Sequence, residues 1–115
     1  MSLNLEEIAR LAADAAEEKK AQRVTILDIR GLSVIADYFV ICHGNSATQV
    51  QAIATGIKEK MEEAGIPIKG VEGFREARWV LLDLGDVVVH VFHKDERDFY
   101  DLERLWGDAQ QVRVQ

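Results

Sequence analysis

A single cysteine, Cys42, stands in a chain of 115 residues. A lone thiol cannot close an internal disulfide, so a disulfide scaffold is excluded and a reducing, cytosolic compartment is expected. No apolar run reaches the length needed to cross a bilayer, and nothing reads as a membrane span. Basic charge is in deficit: 14 Lys and Arg stand against 20 Asp and Glu, a formal net charge of −6. Holding a nucleic-acid backbone takes clustered Lys and Arg, so DNA is not expected as a partner. An acidic chain suits basic proteins instead. The acid is concentrated late, with ten acidic against six basic residues from Val71 onward, while Ala21 to Lys69 is balanced. The opening MSLNLEEIAR carries acids where a secretory leader carries bases. Repeats, low-complexity tracts and linkers are missing too. The chain therefore reads as one domain over residues 1–106, followed by a short tail, 107–115 (GDAQQVRVQ), expected to fray.

What is present is a globular composition, 48% hydrophobic and 30% charged, long enough to bury one core. Asn4 followed by Glu7 is a helix-start pattern. Leu5, Ile8, Ala12 and Ala15 line one face of a first helix running to about Lys20. VTILDI (Val24 to Ile29) and YFVICHG (Tyr38 to Gly44) read as buried strands. Ser46 and Gln49 form a capping box for a second helix, whose core stripe is Val50, Ile53, Ala54, Ile57 and Met61. Gly65 is its left-handed cap, with Pro67 just beyond. A short strand is expected around Ile68 to Val71. A third helix is expected from Asp95 to Trp106, with Phe99, Leu102 and Trp106 facing inward. The order is α-β-β-α-β-β-β-α: an α/β domain with three helices on a mixed five-stranded sheet.

The stretch WVLLDLGDVVVHVF, Trp79 to Phe92, folds back on itself through a two-residue turn at Gly85-Asp86. That register sets Leu82 opposite Val89 and Val80 opposite Val91, on the same side as Leu84 and Val87. This aliphatic side belongs to the core. Alternation puts Trp79, Leu81 and Asp83 on the other side, opposite Phe92, His90 and Val88. The second side is aromatic and apolar with two polar insertions. Either the third helix covers it, or part stays open for a partner, for which Trp and Tyr are typical anchors. Tyr100, about 100° around the helix from Phe99, points outward near the hairpin on the second reading.

Catalytic chemistry finds little support. Asp83 and His90 are diagonal neighbours, but no nucleophile accompanies them in a recognisable motif. His90 is better read as a hydrogen-bonded structural histidine. Cys42 with His43, and His90 with His93, point to opposite faces of their strands, so no metal site is expected. Cys42 reads as a small core residue. Gly44-Asn45-Ser46 lacks the glycine run and lysine of a phosphate loop. Asp83 and Asp86 are the only closely spaced acids in the sheet, and the turn aims them apart. No catalytic residue and no cofactor is assigned.

Three segments, DYFVICHGNSATQVQAIA (Asp37 to Ala54), WVLLDLGDVVVHVF and FYDLERLW (Phe99 to Trp106), occur in an order and spacing that resembles the ribosomal silencing factor family RsfS, also called the Iojap or YbeB family. The resemblance extends from the first helix to Trp106. It implies a nucleotidyltransferase-like fold without catalytic acids, and a protein that is not an enzyme. It further implies binding to large-subunit ribosomal protein fourteen on the face of the large ribosomal subunit that meets the small one. Bound there, the factor blocks subunit joining and represses translation when nutrients are scarce; a role in large-subunit maturation is also implied. A cytoplasmic location and a homodimer in the free state go with it. The family's partner surface maps onto Trp79 and Tyr100, with Asp83 and Leu84 from the DLGD segment beside them, although alternation directs Leu84 to the core. Two other readings stay open: a metal-dependent nucleotidyltransferase using Asp83 and Asp86, and a structural homodimer module of another assembly.

Overall fold

A computed structural model describes residues 3–112. Helix α1 (Leu5–Glu18) starts as its sequence dictates: the Asn4 side chain accepts from the Glu7 amide, and the Glu7 carboxylate accepts from the Asn4 amide. Its buried face is Ala9, Ala12, Ala13, Ala15 and Ala16, with Leu5 and Ile8 partly buried at its start. Small side chains let this helix lie close to the sheet. Strand β1 (Gln22–Asp28) and strand β2 (Tyr38–Gly44) pair antiparallel, and every residue of β2 is buried. Ser46 caps α2 (Ala47–Glu63) by accepting from the Gln49 amide at 3.1 Å. The expected stripe of Val50, Ile53, Ala54, Ile57 and Met61 is buried, and Gly65 takes a φ of +73° just past the helix end.

Strands β3 (Gly70–Glu72), β4 (Trp79–Asp83) and β5 (Val87–His93) follow. The hairpin register is the one the two-residue turn imposes: Val80 opposite Val91, Leu82 opposite Val89, Trp79 opposite Phe92, Leu81 opposite His90 and Asp83 opposite Val88. The Leu84 amide donates to the Val87 carbonyl at 3.0 Å and closes the turn. β5 then lies parallel to β2, which makes the sheet mixed.

Two expectations need correction. Among the described residues the sheet has six strands, not five, in the order β3-β4-β5-β2-β1-β6. The sixth, β6 (Gln110–Val112), pairs antiparallel with Ile26 to Asp28 of β1. It comes from the stretch expected to fray, and it covers backbone groups of β1 that would otherwise form an open edge. Residues 113–115 of that stretch, like residues 1–2, lie outside the described residues. The single helix expected from Asp95 to Trp106 is instead two short ones, α3 (Lys94–Tyr100) and α4 (Leu102–Leu105). The break is at Asp101, whose φ of +47° is left-handed. Phe99, expected to face inward, is 78% exposed; Leu102 does lie in the core, and Trp106 packs against it.

The sheet separates two cores. One lies under α1 and α2 and takes the aliphatic side of the hairpin: Val80, Leu82, Leu84, Val87, Val89 and Val91. The other holds Leu27, Phe39, Ile41, Val88, Phe92 and Leu102, with Trp79, Leu81 and Trp106 packed partly buried against it. The two long helices both cover the first face. The short α3 and α4 are left for the second and cannot span it, since together they amount to barely three turns. That shortage of cover positions the site.

Candidate partner-binding surface

Trp79 opens β4, and the loop before it is shaped to fit. Gly73 has a φ of +78°, and a Cβ there would lie 2.2 Å from the Trp79 carbonyl oxygen. Only glycine allows that approach. The Trp79 indole lies half-buried on the second face, where its Nε1–H donates to Nδ1 of His90 at 3.0 Å. The bond fixes the imidazole as the tautomer protonated on Nε2. His90 is buried, and burial pushes its pKa down to about 4. It is a neutral structural histidine, as expected, but its partner is Trp79 rather than Asp83.

Around this pair runs a chain of aromatic contacts. Trp79 meets Phe92 at 4.9 Å between ring centroids and Tyr100 at 4.7 Å. His90 meets Phe39 edge-on at 4.5 Å, and Phe39 meets Trp106 at 5.8 Å. Tyr100 is the exposed end: it closes α3, is 45% exposed, and touches Phe99 edge-on. The structure thus brings Trp79 and Tyr100 together from elements 21 positions apart in the chain.

Asp83 lies on the same face, half-buried at the far end of β4, where its carboxylate accepts from the Gly85 amide at 2.8 Å. It therefore helps shape the turn. Leu84 is not on this face; it is 8% exposed and belongs to the first core. Between Asp83 and His90 runs an open groove of about 570 Å³ lined by Ile35, Phe39, Leu81 and Val88, with Lys69, Glu72, Asp83 and Asp86 around it. Ile35 is 70% exposed. The groove has an apolar floor and a mainly acidic rim, which suits a basic protein surface. Ile35 escaped the sequence reading because it sits in the loop between β1 and β2, where no periodicity marks a face.

Cys42 is fully buried, and burial pushes its thiol up to about 12, so it stays protonated and inert. Among the described residues no helix is long and apolar enough to cross a membrane, and no group of three or more His, Cys, Asp or Glu side chains converges as a metal site.

Comparison with known proteins places this surface in context. The family model described as "Ribosomal silencing factor during starvation" matches residues 2–115. A ribosomal silencing factor of Bacillus subtilis is 61% identical over 107 residues, which cover 93% of this chain and 91% of that one. A crystal structure from Bacillus halodurans superposes with a TM-score of 0.83 at 55% identity, covering 94% of this chain and 98% of that one. An X-ray structure from Chromobacterium violaceum gives a TM-score of 0.89 at 40% identity, covering 96% and 92%. With the match running through both the hairpin and the tyrosine-bearing helix, the chain belongs to the ribosomal silencing factor family RsfS.

Proposed function

We propose that this protein binds the large ribosomal subunit through large-subunit ribosomal protein fourteen and keeps the small subunit from joining, and so represses translation. The observation that carries the reading is the half-open second face, where Trp79 and Tyr100 meet ring to ring at 4.7 Å beside an apolar groove with an acidic rim. Membership of a family described as ribosomal silencing factors supports the ribosome as the assembly. The chemistry of the face fits a basic protein better than RNA, because Glu72, Asp83 and Asp86 repel phosphates.

The mechanism is steric. A domain seated on the subunit interface occupies volume that the small subunit must fill, so bound factor and joined ribosome exclude each other. No reaction is required and none is assigned. The place of action is the compartment that holds the ribosomes, the cytoplasm. In the free protein the same aromatic face is covered by a second copy, so that self-association competes with binding.

The test is sedimentation of the purified protein with isolated large and small subunits at low salt. Expected is comigration with the large subunit and not the small one, weakening as salt screens the acidic rim. Migration with neither subunit overturns the reading.

A further inference from the structure

Helix α3 carries Tyr100, yet its one buried side chain is an arginine. Arg97 is 2% exposed, while Phe99 beside it is 78% exposed. Ordinary burial preferences run the other way. The guanidinium is fully engaged. Its Nε and Nη2 donate to Glu103 Oε2 at 3.2 and 2.5 Å, and Nη1 donates to the Gln22 carbonyl at 3.3 Å and to His43 Nδ1 at 3.1 Å. Nη2 also reaches Thr25 Oγ1 at 3.4 Å. Burial, then the Arg97 and Arg23 charges, hold the His43 imidazole below its ordinary range, which keeps Nδ1 free to accept. Burial raises the Glu103 carboxyl, but the Arg97 hydrogen bonds and charge outweigh it and keep that group ionised.

The break at Asp101 belongs to the same arrangement. In a continuous helix, residues six apart are about 240° around and about 9 Å along the axis, too far for Glu103 to clasp Arg97. The left-handed turn at Asp101 folds Glu103 back onto it. Helical geometry then fixes the neighbours. With Arg97 inward, Phe99 lies about 200° away and faces solvent, while Tyr100 lies about 60° to one side, over the hairpin. On the outer flank Arg78 holds Glu96 at 2.6 Å, tying α3 to the start of β4.

We propose that Arg97 is a positioning residue: it sets the roll of α3 about its own axis, and so places Tyr100 on Trp79 against the pull of Phe99 toward the core. Without the guanidinium, burial of Phe99 rolls the helix and carries Tyr100 off the hairpin. The consequence for affinity rests on the proposed ribosome-binding reading; the roll itself does not.

Three proteins test it: Arg97→Met, Arg97→Met/Phe99→Asp, and the wild type. Each is examined by NMR for the cross-relaxation contact between the Tyr100 ring and the Trp79 indole, and by sedimentation for large-subunit affinity. Expected in Arg97→Met is loss of the ring contact and at least a tenfold fall in affinity, with the β2 and β5 amides still protected from exchange. Adding Phe99→Asp removes the residue that competes for the core and restores the ring contact and most of the affinity. A role in stability alone predicts no such restoration. Retention of the Tyr100–Trp79 contact in Arg97→Met, or no recovery in the double variant, overturns the proposal. If the wild type binds no large subunit, the function reading fails while the NMR arm still decides the roll.

Discussion

Tyr100→Glu is expected to weaken binding to the large subunit by about 30-fold or more while leaving the fold intact. A true anchor of a protein interface costs about 2 kcal/mol or more on loss of its ring, and 2 kcal/mol corresponds to roughly that factor. The phenol is 45% exposed and leans on Trp79 and Phe99. Exposed substitutions of this kind usually shift stability by only about 0.5 kcal/mol. The new charge sharpens the test. An added carboxylate strengthens long-range attraction to a basic partner, so a loss of affinity arises at the contact itself, from the missing ring and the desolvation of the new charge, and not from long-range repulsion. Affinity is read from sedimentation with large subunits, and fold from a circular dichroism melt of the same sample. Unchanged affinity removes Tyr100 from the interface. Trp79→Ala is a poorer probe, because it also deletes the hydrogen bond its indole donates to the buried His90 ring and its packing against Phe92. Its effect would mix binding with stability.

Acidification from pH 7 to pH 4.5 is expected to remove a few kcal/mol of stability, and His90 is the main cause. In the unfolded chain a histidine titrates near 6.5. In the fold, burial lowers His90 to about 4. Its Nδ1 lone pair already accepts the Trp79 indole N–H, so a proton there has no room, and Nε2 has no protein partner among the described residues. The folded pKa lies below the unfolded one, so the unfolded state binds more protons between the two. Stability is complete above about pH 6.5, falls with pH through the window and levels off below the folded pKa. A shift of this size is worth about 3 kcal/mol. His43 is lowered as well, by burial and by Arg97 and Arg23, and adds loss of the same sign. The carboxyls held low by arginines, Asp28 and Glu103, contribute only below their ordinary range. The upper part of the window therefore belongs to the histidines. Urea unfolding at pH 7 and pH 4.5, wild type beside His90→Gln, measures it. Expected is a clearly smaller pH-dependent loss in the variant; equal losses would place the cause elsewhere.

Much of this arrangement was legible in the chain. The hairpin register followed from one turn and a period of two, because a one-residue slip would turn Val80, Leu82, Val89 and Val91 away from the core. Trp79 on the second face came from the same reasoning; Tyr100 near the hairpin was read from its angle to Phe99 on the helix, and it does meet Trp79 although Phe99 faces outward rather than inward. The stripe of α2 came from apolar spacing and its two ends from Ser46 and Gly65. The failures share a cause. Periodicity assumes that apolar residues go in and charged ones out, and α3 inverts this, since buried Arg97 looks like surface and exposed Phe99 looks like core. The pairing that reverses them joins Arg97 to His43, Gln22 and Thr25, all more than fifty positions away in sequence. β6 was missed because Gln110–Val112 is short, mostly exposed and polar, and is a strand only because the edge of β1 is free to receive it. Leu84 shows where the two lines of reasoning differed: family resemblance put it with the partner surface, alternation put it in the core, and it lies in the core.

The most direct measurement is subunit joining followed by light scattering. Purified large subunits are incubated with the wild-type protein or with folded Tyr100→Glu, and small subunits are then added. Expected is that the wild type suppresses the rise in scattering in proportion to its occupancy of the large subunit, while Tyr100→Glu leaves joining near the level without factor. Normal joining with the wild type bound at saturation would contradict the steric mechanism. Equal suppression by both proteins would place the contact somewhere other than the Trp79–Tyr100 face.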